Sequence, residues 1–173
     1  NYDLTTTNSP SYTNSKKTDS LTTDIASKKY YGYVKDDAGH TATCNITVKR
    51  DTKQPTCTIT PTGIAGDNGW FKSDVDVNMT YTDATSQVKQ YGMETTSPAS
   101  YNSDTADIVR RDTTGITYYG SVEDDAGHTN TCSYTVKRDA TAPRCSITPS
   151  GNKGTNNWFT GDVTIDLSYD DAT

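Results

Sequence analysis

The chain has 173 residues, a formal net charge of -6, 31% hydrophobic residues and a mean hydropathy of -0.81. Thr (33) and Asp (20) dominate while Leu falls to three, which disfavours a helical bundle and suits pleated, surface-rich structure. No apolar run nears the ~20 residues of a membrane helix, none resembles a signal-peptide core, and an acidic chain without a basic stripe is a poor nucleic-acid binder. Two classes remain: a disordered Thr/Ser/Asp linker, or a thin β protein.

In chain order, the first segment, Asn1 to Asn14, resembles Gln90 to Asn102 with a slip of one residue. Next comes Tyr30-Tyr31-Gly32-Tyr33-Val34, followed by the turn cluster Asp36-Asp37-Ala38-Gly39-His40. Alternation running into such a cluster predicts a β-hairpin with Gly39 in the left-handed region. Pro55 and Pro61 bracket a short strand over Thr56–Thr60, an edge position because proline cannot donate to a ladder. Trp70-Phe71 is expected to close the end of a thin core, and Val75, Val77, Met79 and Tyr81 alternate with polar residues as in a half-buried strand. The hairpin then returns with an offset of 88 residues (118 − 30), as Tyr118 to Thr129 with Gly127 at the turn, and runs on to Arg138. Pro143 and Pro149 bracket Arg144–Thr148, and Trp158-Phe159 and Tyr169 through Thr173 repeat at the same offset.

Over residues 30–61 against 118–149, 22 of 32 positions are identical. The chain therefore holds just under two copies of one unit, and a disordered linker has no need of a repeated pattern of buried positions. About seven short strands per period suit a β-sandwich. Tyr31, Tyr33 and Tyr119 fall on the outward strand face, and the swaps of Tyr33 for Ser121 and Lys35 for Glu123 mark solvent positions.

The run Asp139-Ala-Thr-Ala-Pro143, then Asn156-Asn-Trp158-Phe159-Thr-Gly-Asp162-Val163, then Tyr-Tyr-Gly…Asp-Asp-Ala-Gly-His-Thr resembles a bacterial immunoglobulin-like (Big-type) tandem surface repeat. The usual turn wording of that family ends in Asn, where this chain has His40 and His128. The resemblance spans nearly the whole chain and implies tandem immunoglobulin-like β-sandwiches in an all-β fold. A domain of that family opens at the Asp-x-x-x-Pro linker and closes with the Val-Lys-Arg strand. In this frame residues 52–138 are one complete repeat, 1–51 the C-terminal part of a preceding one and 139–173 the N-terminal part of the next. The two part-domains are then completed by further residues of a longer chain or by neighbouring copies, unless the frame lies elsewhere.

Four cysteines in two equal pairs imply an oxidising, extracytoplasmic setting. By spacing alone they can pair as Cys44–Cys57 with Cys132–Cys145, pair as Cys57–Cys132, or stay free. In a sandwich of the resembled family the first and last strands lie side by side. The resemblance thus implies Cys57–Cys132, with Cys44 and Cys145 finding partners outside the complete domain. It also gathers Asp51, Asp83, Asp124 and Asp125 in loops at one pole, with Asp139 and Asp171 repeating them in the following copy. Asp side chains from several loops suit Ca²⁺, which takes six to eight oxygens; local turn chemistry accounts for the same residues. No cofactor other than Ca²⁺ is indicated.

Catalysis has little to stand on, since both His repeat one turn position and no phosphate-binding glycine loop follows a strand. The expected function is a non-enzymatic stalk or filament segment of a large extracellular, cell-surface repeat protein. Its partners would be neighbouring repeats of the same chain or of adjacent copies, with neither nucleic acid nor membrane insertion. One alternative is an adhesin module binding a surface glycan or protein; another is an immunoglobulin-like decoration of a pilus or phage particle.

Overall fold

The computed structural model describes residues 1–14 and 16–173. Among these the fold is all-β, with twelve strands and no helix. They are β1 (Tyr2–Thr5), β2 (Ile25–Lys35), β3 (Thr41–Arg50), β4 (Thr56–Thr62), β5 (Trp70–Phe71), β6 (Val75–Thr82), β7 (Val88–Glu94), β8 (Ala106–Val109), β9 (Thr113–Asp124), β10 (Thr129–Arg138), β11 (Arg144–Lys153) and β12 (Phe159–Asp170). Four sheets have the strand orders β1-β2-β3, β4-β6-β8, β5-β10-β9-β7 and β11-β12. Seven of the strands, β4 to β10, lie between residues 56 and 138. Their pairing into two sheets, each with one apolar face, is consistent with a β-sandwich. Trp70-Phe71, expected to close a core end, is half-buried and forms β5, pairing parallel with Lys137 and Arg138 of β10.

The chain divides into two compact units that interleave in sequence. The first comprises Asn1–Ile59, Met79–Thr105 and Tyr119–Ser133. Its buried apolar residues are Tyr30, Tyr33, Ile59, Met79, Met93, Ala99 and Val122. Here β1 pairs with β2 as Tyr2↔Val34, Asp3↔Tyr33, Leu4↔Gly32 and Thr5↔Tyr31. Further on, β7 pairs with β9 as Tyr91↔Val122, Gly92↔Ser121, Met93↔Gly120 and Glu94↔Tyr119. One strand of each pair is offset by 88 residues and the other by 89, the slip legible in the sequence. The hairpin turns place Gly39 at φ 97° and Gly127 at φ 93°, which an L side chain adopts only under strain.

Tyr33 corrects the expectation of a solvent position. It is only 4% exposed, its hydroxyl donates to Asn8 Oδ1 at 2.7 Å, and Tyr12 meets its ring edge-on. The segment after β1 lies over this face of β2, which strand alternation could not reveal. Ser121 is buried at the matching place, where Ser97, Pro98 and Ala99 line the same concavity.

The second unit comprises Thr60–Asn78, Ala106–Tyr118 and Tyr134–Thr173. Val75, Val77, Val109, Tyr118 and Val136 are buried in it, and β6 pairs with β8 through Val75↔Val109 to Asn78↔Ala106. Tyr118 donates its hydroxyl to Asp107 at 2.6 Å, satisfying a buried polar tip. The hairpin β11-β12 runs from Arg144↔Asp170 through Ile147↔Leu167 to Lys153↔Phe159, and nearly all of its residues are exposed.

Candidate functional site

Loops at one end of the first unit bring the acidic residues together. Asp83, just after β6, turns back on its own loop, and its Oδ2 accepts the N–H groups of Thr85, Ser86 and Gln87 at 2.9, 2.8 and 3.2 Å. Asp51, just after β3, reaches the same loop and accepts Ser86 N–H at 3.1 Å and Lys53 N–H at 2.9 Å. Asp124, at the end of β9, accepts His128 N–H at 2.9 Å, and its second oxygen lies 2.9 Å from His128 Nδ1. Asp51, Asp124 and His128 each offer an atom within 4.8 Å of the others. Asp51 and Asp125 also line a cleft of about 340 Å³ with Ile25, Lys49 and Ser86.

The electrostatics follow from these bonds. Burial opposes the Asp124 charge, but the backbone N–H and ring of His128 outweigh it and hold the carboxyl below its usual range. Asp51 is held low by Ser86 first and then by Lys53, with His128 adding to the effect. The donor set fits calcium poorly. Ca²⁺ needs six to eight oxygens, whereas one grouped donor is an imidazole and the carboxylates already hold backbone N–H groups. Among the described residues Asp83 Oδ1 is the buried carboxylate oxygen left without a partner, which is one oxygen. Asp139 and Asp171 belong to the second unit, where they accept Thr141 N–H at 2.9 Å and Ala172 N–H at 3.1 Å and line a different cleft. The arrangement builds turns.

The hairpin at Asp36 makes the same bonds in a different setting. His40 N–H donates to Asp36 Oδ1 at 2.8 Å, and His40 Nδ1 lies 2.9 Å from Oδ2. Yet the Asp36 side chain is 53% exposed while that of Asp124 is 0% exposed. Identical local chemistry is thus solvated in one copy and enclosed in the other.

The cysteines divide in the same way. Cys57 of β4 and Cys132 of β10 form a disulfide across a sequence separation of 75, with Cα atoms 5.8 Å apart, so the short-loop pairings do not form. This bond ties a strand of one sheet to a strand of the other. A β-carbon on Gly120 would stand 2.7 Å from Cys132 Sγ and equally close to Met79 Sδ, so glycine makes room for both sulfurs. Cys44 and Cys145 are exposed and unbridged. A β-carbon on Gly32 would likewise stand 2.7 Å from Cys44 Sγ, but there no second sulfur approaches.

Around Cys145 the apolar residues are uncovered. Ile147, Ile165 and Leu167 are 67%, 61% and 63% exposed, whereas Ile59, Val77 and Met79, each 88 positions earlier, are 6%, 0% and 4% exposed. Arg138 shows what a covered position holds. Its Nε donates to the Ser73 carbonyl at 3.0 Å, and its guanidinium bonds Asp112 at 2.5 Å and Asp74 at 2.8 Å. Arg50, its counterpart, keeps only the first-copy equivalent of Asp112, bonding Asp24 at 2.5 Å.

Comparison with known proteins finds no matching family model, no similar curated protein and no similar solved structure. Sequence reasoning missed His128 and Arg138 as organising residues. The first was detectable in the Asp-x-x-x-His spacing repeated at 36–40 and 124–128. The second carried no signal, because Asp74 and Asp112 lie 64 and 26 residues from it.

Proposed function

We propose that this chain is a structural segment of an extracellular stalk or filament, built of tandem immunoglobulin-like β-sandwiches with an 88-residue period and exposed at a cell surface. The observation that carries the reading is the Cys57–Cys132 bond. Tension entering at the linker before β4 and leaving at the end of β10 passes through the S–S bond, so the loop that it closes is shielded from load. Such a path suits a load-bearing segment. The recurrence of the β1-β2 register in β7-β9 supports the tandem reading, as does the recurrence of the Asp–His hairpin. An oxidising exterior suits a bond that constrains so long a loop.

Single-molecule pulling tests the reading. Under non-reducing conditions the 52–138 region should yield only the short extension lying outside the bridge. A reductant should then add roughly 250 Å of contour, from about 75 residues at ~3.4 Å each. Unfolding at negligible force in both conditions, or saturable binding on a glycan array, would replace this reading with an adhesin.

A further inference from the structure

We infer that Tyr81 and Tyr91 form a covalent modification site, at which a one-electron oxidant joins the two phenol rings carbon to carbon as a dityrosine. The bond would tie β6 to β7 whether the chain bears load or binds a ligand. It therefore goes beyond the stalk-or-filament reading and does not rest on it.

Strand alternation places the two rings. Tyr81 continues the face of β6 that carries Val75, Val77 and Met79, all buried. Tyr91 pairs with Val122, which is fully buried, and residues opposite one another in an antiparallel ladder share a face. Tyr91 therefore points inward from β7. The strands belong to different sheets, β6 to β4-β6-β8 and β7 to β5-β10-β9-β7. The loop joining them is held by Asp83, which accepts the N–H groups of Thr85, Ser86 and Gln87. One tyrosine from each strand thus reaches the margin of the core, where both are half-buried.

The ring geometry is unusual. Aromatic pairs ordinarily sit offset or edge-on, with centroids ~4.5–7 Å apart. Tyr31 with Tyr33 and Tyr12 with Tyr33 do so, each at 6.4 Å. Tyr81 and Tyr91 stack with centroids 4.0 Å apart and planes inclined by 25°. That separation leaves little room for offset, so the carbons of one ring overlie those of the other. Burial first, and then the Tyr91 hydroxyl, push the Tyr81 phenol up to about 12. The two hydroxyls therefore share one end of the stack, and the Cε carbons ortho to them face each other. Those carbons carry unpaired spin in a phenoxyl radical, and radicals of this kind couple face to face. Two rings held so react as a unimolecular step, without an encounter.

The step balances with persulfate as the oxidant. Each phenol gives up one electron and its hydroxyl proton, and one persulfate takes both electrons to become two sulfates. The two unpaired electrons then pair as a new bond between a Cε of Tyr81 and a Cε of Tyr91. Both carbons become tetrahedral, and each loses its hydrogen as a proton while each oxygen regains one. Two aromatic phenols result, joined by one C–C bond, and two protons pass to water.

The test irradiates the dilute full chain with a ruthenium bipyridyl sensitiser and persulfate, then reads dityrosine fluorescence, intact mass and tryptic peptides. Tyr81 and Tyr91 fall on different tryptic peptides, 73–89 and 90–110. The Cys57–Cys132 peptide certifies the fold in the same digest. Loss of Tyr169, 80% exposed, certifies that the oxidant has acted. The expected product is a fluorescent monomer, with the two peptides joined through Tyr81 and Tyr91. Tyr81→Phe and Tyr91→Phe keep a ring in the stack, and each should abolish the link. Tyr101→Phe, an exposed tyrosine on the second peptide, should keep it. Oxidation in denaturant should lose it. Tyr169 consumed while Tyr81 and Tyr91 stay unlinked, links through other tyrosines alone, or an equal yield in denaturant would each overturn the inference. Saturable glycan binding by the same chain would remove the stalk reading and leave this bond standing, so the two failures are distinguishable.

Discussion

Residues 56–82 and 144–170 are one sequence pattern in two environments. In the first, Val75, Val77 and Met79 are buried, Cys57 is bridged and Asp74 holds an arginine. In the second, Val163, Ile165 and Leu167 face water and Cys145 is open. Local propensity is nearly the same, and both segments form antiparallel strands from proline-bracketed starts. The difference is what lies against them. An alternating pattern specifies that a strand has an apolar face, while the covering sheet decides whether that face contributes about 25 cal/mol per Å² of buried area or remains an adhesive surface. The paired hairpins teach the same lesson for polar groups. The Asp–His turn closes identically in both copies, and only Asp124 is taken out of water.

The comparison can be broken most strongly at the cysteines. Cys57→Ser with Cys132→Ser should cost about 4 kcal/mol in the chain-entropy picture, or on the order of 20 °C in Tm for a domain of this size. Cys44→Ser and Cys145→Ser should leave the Tm of dilute chain unchanged. Equal losses for both pairs, measured by thermal unfolding, would show that the open cysteines already share a closed core.

Next in size is the arginine. Arg138→Gln removes the cation that bonds both Asp74, which is half exposed and still lies 4.0 Å from Arg110 Nε, and Asp112, and should cost about 2–3 kcal/mol. Arg50→Gln, which loses only Asp24, should cost less than half of that in dilute chain. Chemical denaturation measures both, and a reversed order would contradict the account of which copy is closed.

Asp124 follows. Asp124→Asn removes a charge-assisted bond from an enclosed carboxylate and should cost about 2 kcal/mol, while Asp36→Asn should be silent. The pH sign is fixed by the lowered Asp124 value. A carboxyl with a folded pKa below its unfolded value of ~3.9 contributes fully above that pH. The contribution is lost as pH falls through the folded value. Wild type should therefore lose stability more steeply than Asp124→Asn on acidification below about pH 4.

The smallest effect is expected from calcium. With the loop carboxylates already accepting backbone N–H groups, millimolar Ca²⁺ should leave Tm unmoved, and a rise of several degrees would restore the loops as a cation site.

The strands, the hairpin turns and the repeat were legible because each rests on local pattern: alternation, proline punctuation, and Gly39 and Gly127 in turns. The slip of one residue between β1 and β7 was legible too, and the ladder registers reproduce it. The burial of Tyr33 was not, because it depends on Asn8 and Tyr12 crossing the outer face of β2. The acidic pole was legible in part. Loop positions placed Asp51, Asp83 and Asp124 at one end, but His128 joins them only because the turn folds its ring back on Asp124. Arg138 was hidden for a similar reason: a buried cation is recognised by partners that only the fold assembles.

Hydrogen exchange, read segment by segment, tests the contrast between the two segments most directly. The account predicts that the amides of 144–170 exchange orders of magnitude faster than those of 56–82. Equal protection of 144–170 and 56–82 would contradict it.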